Sequence, residues 1–210
     1  MRYLTSALVS EGPTDDQFLP RLLGRALTYL CMTEFEDAVD VADVQVLRDR
    51  KGPSSVQDVI KVVELNRAAF SLIFFHRDQG TDPRRVEREW IQPLRELWGE
   101  RAEQLVAVIP VRETEAWLLA DGDALRNALG VPSWTDGFMG LPARPAQVED
   151  LADPKRVLSD LTQRVSRSRE DHFVQLGELV SLDRLYQVPA YRRWWDDTRQ
   201  ALTRLGYRRA

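Results

Sequence analysis

Glu11, Asp78 and Glu115 are the side chains whose type and placement point to chemistry, because each follows a short apolar run that reads as a strand. Glu11 follows Leu4 to Val9, Asp78 follows Phe70 to Phe75, and Glu115, with Glu113 close by, follows Gln104 to Pro110. The carboxyl ends of neighbouring strands in a parallel sheet share one edge, so acids far apart in sequence can converge there. Carboxylates brought together repel unless a cation neutralises them, and hard oxygen donors suit Mg2+ or Mn2+. Such an ion aligns a water and stabilises a leaving oxygen, while an uncoordinated carboxylate serves as base. Phosphodiester cleavage is one reaction that such a shared metal site can perform.

The elements that must position these acids follow an alternating order. After the first strand, Gly12, Pro13, Thr14, Asp15 and Asp16 form a turn into a helix carrying Phe18, Leu19, Leu22, Leu23, Leu27 and Leu30. Gly12 is read as supplying a backbone angle that other residues resist, and Thr14 or Asp15 as capping the helix. Val39 to Leu47 predicts a second strand, Lys51 to Ser55 a loop, and Val56 to Ala69 an amphipathic helix. The buried strand Phe70 to Phe75 follows. A helix from Pro83 to Gly99, kinked at Pro93, then leads to a fourth strand, Gln104 to Pro110. This order predicts an α/β fold with a four-stranded parallel sheet flanked by helices and joined by right-handed crossovers. Beyond Arg112 the pattern is helical or irregular, with helices at Glu113 to Leu119, Lys155 to Val165 and Tyr191 to Leu205. Residues 1–121 are expected to form the α/β domain, and 122–210 a mainly helical C-terminal extension packed on it.

With 210 residues, 43% of them hydrophobic and 30% charged, the chain has enough apolar mass for a sizeable core and no signature of disorder. Its lone cysteine, Cys31, rules out a disulfide framework or a cysteine-rich zinc site. The apolar start is too short for a signal peptide, and no run approaches the ~18 apolar residues of a membrane span. A cytoplasmic protein without a membrane segment is the expectation. A formal net charge of -4 argues against a strongly basic nucleic-acid wrapper, yet leaves room for a nuclease with an acidic site and a local basic patch.

The segment Glu11-Gly12-Pro13-Thr14-Asp15 after a strand, with Asp78 in the turn after a later one, resembles the TOPRIM domain of topoisomerases, primases and overcoming-lysogenization-defect (OLD) nucleases. The whole ordered set is more closely similar to the domain-of-unknown-function family 4276. Its pieces are that first segment, Phe75-His76-Arg77-Asp78, the run from Glu113 to Asp121, the run from Asp153 to Leu158, and the run from Val188 to Trp194. The resemblance implies a TOPRIM/Rossmann-like fold and magnesium-dependent cleavage or transfer at phosphodiesters. It casts Glu11 as base or ligand and Asp78 and Glu115 as metal ligands. TOPRIM proteins carry Asp-x-Asp where this chain has His76-Arg77-Asp78. Either His76 ligates the ion and shifts preference towards manganese or zinc, or Asp82 substitutes, or the site has lost activity. Related nucleases, including those of phage defence and DNA processing, often work beside an ATPase. This chain has no Gly-x-x-x-x-Gly-Lys-Ser/Thr loop, so any ATPase would be a separate polypeptide.

Other residues carry two readings at this stage. Asp15 is a first-turn helix acid or a group at the metal, and His76 a hydrogen-bonded strand-end histidine or a ligand. Lys155 and Arg156 are nucleic-acid phosphate contacts or a solvated helix face. Trp117, Trp194 and Trp195 read better as core than as base-stacking surface. Two functions are therefore carried forward: a divalent-metal-dependent nuclease, and a non-catalytic module that binds nucleic acid or a partner protein.

Overall fold

The computed structural model describes residues 2–48, 52–66, 68–82, 84–165 and 172–209. Lys51 and Pro83, assigned above to a loop and a helix start, lie outside the described residues. The first strand is two pieces, β1 (Arg2–Leu4) and β2 (Ser6–Val9), and the second likewise, β3 (Val39–Val41) and β4 (Gln45–Val46). The break falls at Thr5, whose carbonyl takes the amides of both Ser71 and Leu72, at 3.0 and 3.2 Å. β5 (Leu72–His76) and β6 (Leu105–Val108) complete the strands. β1 pairs with β3, and the larger sheet runs β4-β2-β5-β6, parallel throughout. Ser6 to Val9 lie opposite Leu72 to Phe75, the pairing that the convergence of Glu11 and Asp78 requires.

Alternate residues of the central strands enter two cores. Leu8, Leu72, Phe74, Val106 and Val108 face one core, while Ala7, Val9, Ile73, Phe75 and Leu105 face the other. A strand buried on both faces must be apolar at every position, which is why β5 reads as an unbroken hydrophobic run. The first face is covered by α1 (Asp15–Glu34), which buries Phe18, Leu19, Leu22, Leu23, Ala26, Leu27 and Leu30 at helical spacing. Each of its buried leucines contributes about 1.5 to 3 kcal/mol by leaving water. The second face is covered by α2 (Val56–Leu65) and α3 (Gln92–Trp98). Ser55 and Asp58 form a capping box that starts α2. The expected kink at Pro93 takes the form of a π-helical turn over Glu87–Ile91, closed by the Gln92 amide on the Glu87 carbonyl. Pro93 has no N–H to continue the usual ladder, so the turn before it widens.

Helices α1 and α2 lie on opposite sides of the sheet because the chain leaves β2 towards β4 and then returns past it to β5. Crossovers of one hand in opposite directions must pass over opposite faces. The strand order therefore reverses between β2 and β5.

The C-terminal part adds α4 (Glu115–Leu118), α5 (Gly122–Leu129), α6 (Pro154–Arg164), α7 (Phe173–Leu179), α8 (Leu182–Tyr186) and α9 (Pro189–Arg204). α5, α7 and α8 are not foreseen in the sequence, since each, at eight residues or fewer, is too short to show a clear helical period. α9 lays Trp194 against Phe74 of β5, ring centres 5.9 Å apart, and Tyr191 edge-on to Trp117 at 5.2 Å. One continuous core thus runs from Leu4 to Tyr207 across the boundary at residue 121. Trp117, Trp194 and Trp195 belong to that core, each no more than 4% exposed. No described helix is long and apolar enough to cross a membrane.

The end of α1 is tied to α9 by Glu34, which accepts from Trp195 Nε1 at 3.2 Å and pairs with Arg199. Burial alone would raise the Glu34 carboxyl, but the hydrogen bonds from Arg199 and Trp195 outweigh it and hold the pKa below the ordinary carboxylate value. A depressed carboxylate contributes stability above its unfolded pKa and loses it as pH falls through the folded one. Glu34→Gln should therefore cost about 1 kcal/mol at pH 7, discounted for partial exposure. In urea titrations across pH, that difference between variant and parent should shrink in acid, below the ordinary carboxylate range.

Candidate functional site

The site is built where β2 and β5 end side by side. After Val9 the chain turns through Glu11 and Gly12, with the Asp16 amide on the Gly12 carbonyl and the Gln17 and Phe18 amides on that of Thr14. Asp15 does not cap α1. Its Oδ2 accepts from the Gly12 amide at 3.0 Å, and the Thr14 side chain makes no capping bond either. Gly12 also corrects the expectation, because its φ is not positive; a Cβ there would stand 3.2 Å from Asp15 Oδ2. The glycine lets the carboxylate close the turn. Asp16 points elsewhere, accepting from the Ser10 hydroxyl and pairing with Arg48 Nε at 2.8 Å.

β5 delivers His76, which is wholly buried. Its Nδ1 faces the Glu11 amide at 3.5 Å and Asp15 Oδ2 at 3.7 Å, while Nε2 lies 2.9 Å from Thr114 Oγ1 and 3.4 Å from Asp78 Oδ1. With Nδ1 accepting from Glu11, Nε2 carries the proton and donates it to Thr114, whose hydroxyl in turn donates to Asp78 Oδ1 at 3.1 Å. The Thr114 amide donates to the same oxygen at 2.9 Å. Burial alone would push the His76 pKa down, but Asp15, the hydrogen bond to Asp78 and the charges of Asp78 and Glu11 raise it above the ordinary histidine value. Burial raises Asp15 and Asp78 adds to that, against the opposing pull of His76.

Thr114 reaches Asp78 because residues 110 to 114 fold back over the end of β5. Gln79 and Gly80 donate to the carbonyls of Pro110 and Arg112, at 3.0 and 3.1 Å. Gly80 and Arg112 both hold positive φ, 66° and 63°. For Arg112 this left-handed conformation costs about 1 to 2 kcal/mol, sustained by the bonds on either side.

Glu11 is the most open member of the group. Its Oε2 accepts from the Asp78 amide at 3.2 Å, and its Oε1 pairs with Arg77 Nη1 at 3.2 Å. The side chains of Glu11 and Asp78 are 40% and 30% exposed, so both carboxylates can meet a ligand from solvent. Glu115 is buried in the first turn of α4. Glu113 accepts from the Lys155 amide at 3.1 Å, which fixes the start of α6 and its exposed Lys155 and Arg156 near the same edge. Asp121, at the end of the Glu-x-Trp-Leu-Leu-x-Asp segment, caps α5 and accepts from the Ser181 amide.

Among the described residues, no three His, Cys, Asp or Glu side chains are gathered so as to hold a metal ion. Glu115 therefore does not join Glu11 and Asp78 in a common set, and both His76 nitrogens are engaged within the protein. The donors that face solvent are two carboxylates on adjacent strands. That set fits magnesium or manganese, which keep several waters and are commonly held by one or two carboxylates plus substrate phosphate. It does not fit zinc, which takes three or four protein ligands.

A family profile described as domain of unknown function (DUF4276) matches residues 10–198. The chain belongs to this family. The matched span includes the turn at Glu11, β5 with His76, Asp78 just past it, Thr114 and the first part of α9, so the DUF4276 region holds every residue of the site. Comparison with curated proteins and with solved structures gave no match.

Sequence reasoning missed Thr114, Arg77 and Ser10. Thr114 stands between two acids, Glu113 and Glu115, with no sequence signal of its own, and only its position at the end of β5 shows its role. Thr114→Val keeps the shape but removes the hydroxyl shared by His76 and Asp78. Because this leaves a buried donor unpaired, it should destabilise the protein by about 1 to 3 kcal/mol in urea denaturation. A change within error would mean that the hydroxyl bridge is not formed.

Proposed function

We propose that this protein is a divalent-metal-dependent phosphodiesterase acting on nucleic acid. One observation carries the reading: Glu11 and Asp78 end adjacent parallel strands at the point where the strand order reverses, the place where open α/β sheets bind their ligands. The TOPRIM resemblance supports it, as does the pair of solvent-facing carboxylates with Arg77 on Glu11, together with the exposed Lys155 and Arg156 of α6, whose Lys155 amide binds Glu113.

In this reading Glu11 and Asp78 hold Mg2+ or Mn2+. When bound, the ion supplies charge neutralisation and a water of lowered pKa. Asp78 is fixed by Thr114 and, through it, by His76, so its carboxylate is oriented before any ligand arrives. Asp15 stays behind the ring and closes the turn through the Gly12 amide. Lys155 and Arg156 receive phosphates of the flanking strand. A separate ATPase is the partner that the OLD-type resemblance brings with it, and phage defence or DNA processing is the setting.

Single- and double-stranded DNA and RNA should be offered in magnesium and in manganese. Glu11→Gln and Asp78→Asn should each lower cleavage by at least about a hundredfold, the scale lost with a positioned acid–base or ion-holding group. Cleavage by Glu11→Gln at the parent rate in manganese would overturn this assignment.

The non-catalytic reading has its own support, in the Arg77 ion pair on Glu11 and in the lack of a three-donor cluster among the described residues. It predicts nucleic-acid or partner binding without cleavage in either metal, and binding that Glu11→Gln leaves intact.

A further inference from the structure

Arg77 lies between His76 and Asp78 in sequence, yet its side chain turns away from the His76–Thr114–Asp78 network and reaches Trp90 and the loop before α2. Its guanidinium lies over the Trp90 ring, 3.8 Å from the centre, and one nitrogen donates to the Pro53 carbonyl. A second nitrogen pairs with Glu11 Oε1 at 3.2 Å, and its Nε is buried without a hydrogen-bond partner. The aromatic face and the carbonyl hold the group in place whether or not Glu11 is engaged. The pairing with Glu11 is thus separable from the anchoring of the arginine.

That pairing has a chemical consequence. A guanidinium and a divalent cation compete for the same carboxylate lone pairs and repel one another, so Arg77 on Glu11 opposes cation binding when no anion is bound. A phosphate changes the balance, because it offers the guanidinium two oxygens in the fork geometry that arginine prefers and neutralises charge beside the cation.

We infer that Arg77 is a phosphate-responsive gate on Glu11: it occupies the carboxylate when no anion is bound beside it, and, still anchored on Trp90 and Pro53, turns its Nη1 hydrogen bond to a bound phosphate oxygen so that a cation can take its place on Glu11. The inference rests on the reading of Glu11 and Asp78 as the cation-holding pair and adds an order to it. The ligand class is a phosphate ester, and the ion binds tightly only in its company. A simple structural ion pair predicts no such coupling.

Coupling is reciprocal, so it can be read from binding alone. Manganese would be titrated calorimetrically into the parent and into Arg77→Met, which keeps the packing on Trp90 and removes the charge. Each titration would be run in chloride and in sulfate, a tetrahedral-anion probe, at constant ionic strength, with thermal melts confirming that both proteins are folded. Arg77→Met should bind manganese about tenfold more tightly than the parent in chloride, the scale of one charge-assisted hydrogen bond. Sulfate should raise the parent's affinity about fivefold and leave that of the variant unchanged. Arg77→Lys, which keeps the charge without the fork, should bind manganese as weakly as the parent in chloride and respond less to sulfate. If parent and Arg77→Met bind manganese equally and sulfate moves neither, the gate is overturned while the carboxylate pair stands. If neither protein binds manganese, the gate and the cation site fall together.

Discussion

β5 can be buried on both faces only as an interior strand, and that constraint places everything else. Leu72, Ile73, Phe74 and Phe75 are each at most 3% exposed, so the strand needs a partner on either edge and helices above and below. β2 and β6 take the edges, and α1 with α9 and α2 with α3 take the faces. Because β2 lies beside β5 although β3 and β4 come between them in the chain, the connections on its two sides run over opposite faces. Open α/β sheets take their ligands where such connections part, and the residues just past the two strands, Glu11 and Asp78, stand at that place.

The C-terminal helices serve this site although none of their side chains contacts the Glu11 and Asp78 carboxylates in the bonds described above. α9 presses Trp194 on Phe74 and Tyr191 on Trp117, and Trp117 lies three residues from Thr114. The same aromatic packing that buries β5 thus fixes the segment whose Thr114 orients Asp78. Gly177 of α7 reaches the backbone of α1 so closely that an added Cβ would lie 2.7 Å from the Phe18 carbonyl oxygen. α7 therefore packs against the first turns of α1, close behind Asp15.

Much of the fold is legible in the sequence because its signals are local. Alternation of apolar runs with helical spacing gave the parallel sheet, and the helices expected to begin at Lys155 and Tyr191 begin one and two residues earlier, at Pro154 and Pro189. The break at Thr5 was hidden, since it arises from two amides of a distant segment sharing one carbonyl. At the site, Glu11 and Asp78 were legible as strand-end acids. The roles of Thr114 and Arg77 were not, because both depend on which segments meet at the ends of β2 and β5. Gly12 misled for a related reason: its lack of a side chain matters for the approach of Asp15, a feature of space rather than of backbone angle.

The buried group of Asp15, His76 and Thr114 that backs the half-open Asp78 is costly for stability. Removing a carboxylate and an imidazole from water costs several kcal/mol, and apolar residues of similar volume commonly serve a core as well or better. What such a network supplies is orientation: each member has its partners within the protein, so Asp78 is held in one direction without help from solvent. Such fixing is useful only where something must meet that carboxylate at a set angle. Glu11, by contrast, has one oxygen on the Asp78 amide and the other on a guanidinium that has its own anchors. One carboxylate of the pair is therefore rigid and the other exchangeable, an asymmetry suited to a ligand that arrives with its own charge and its own waters rather than to an ion caged by the protein.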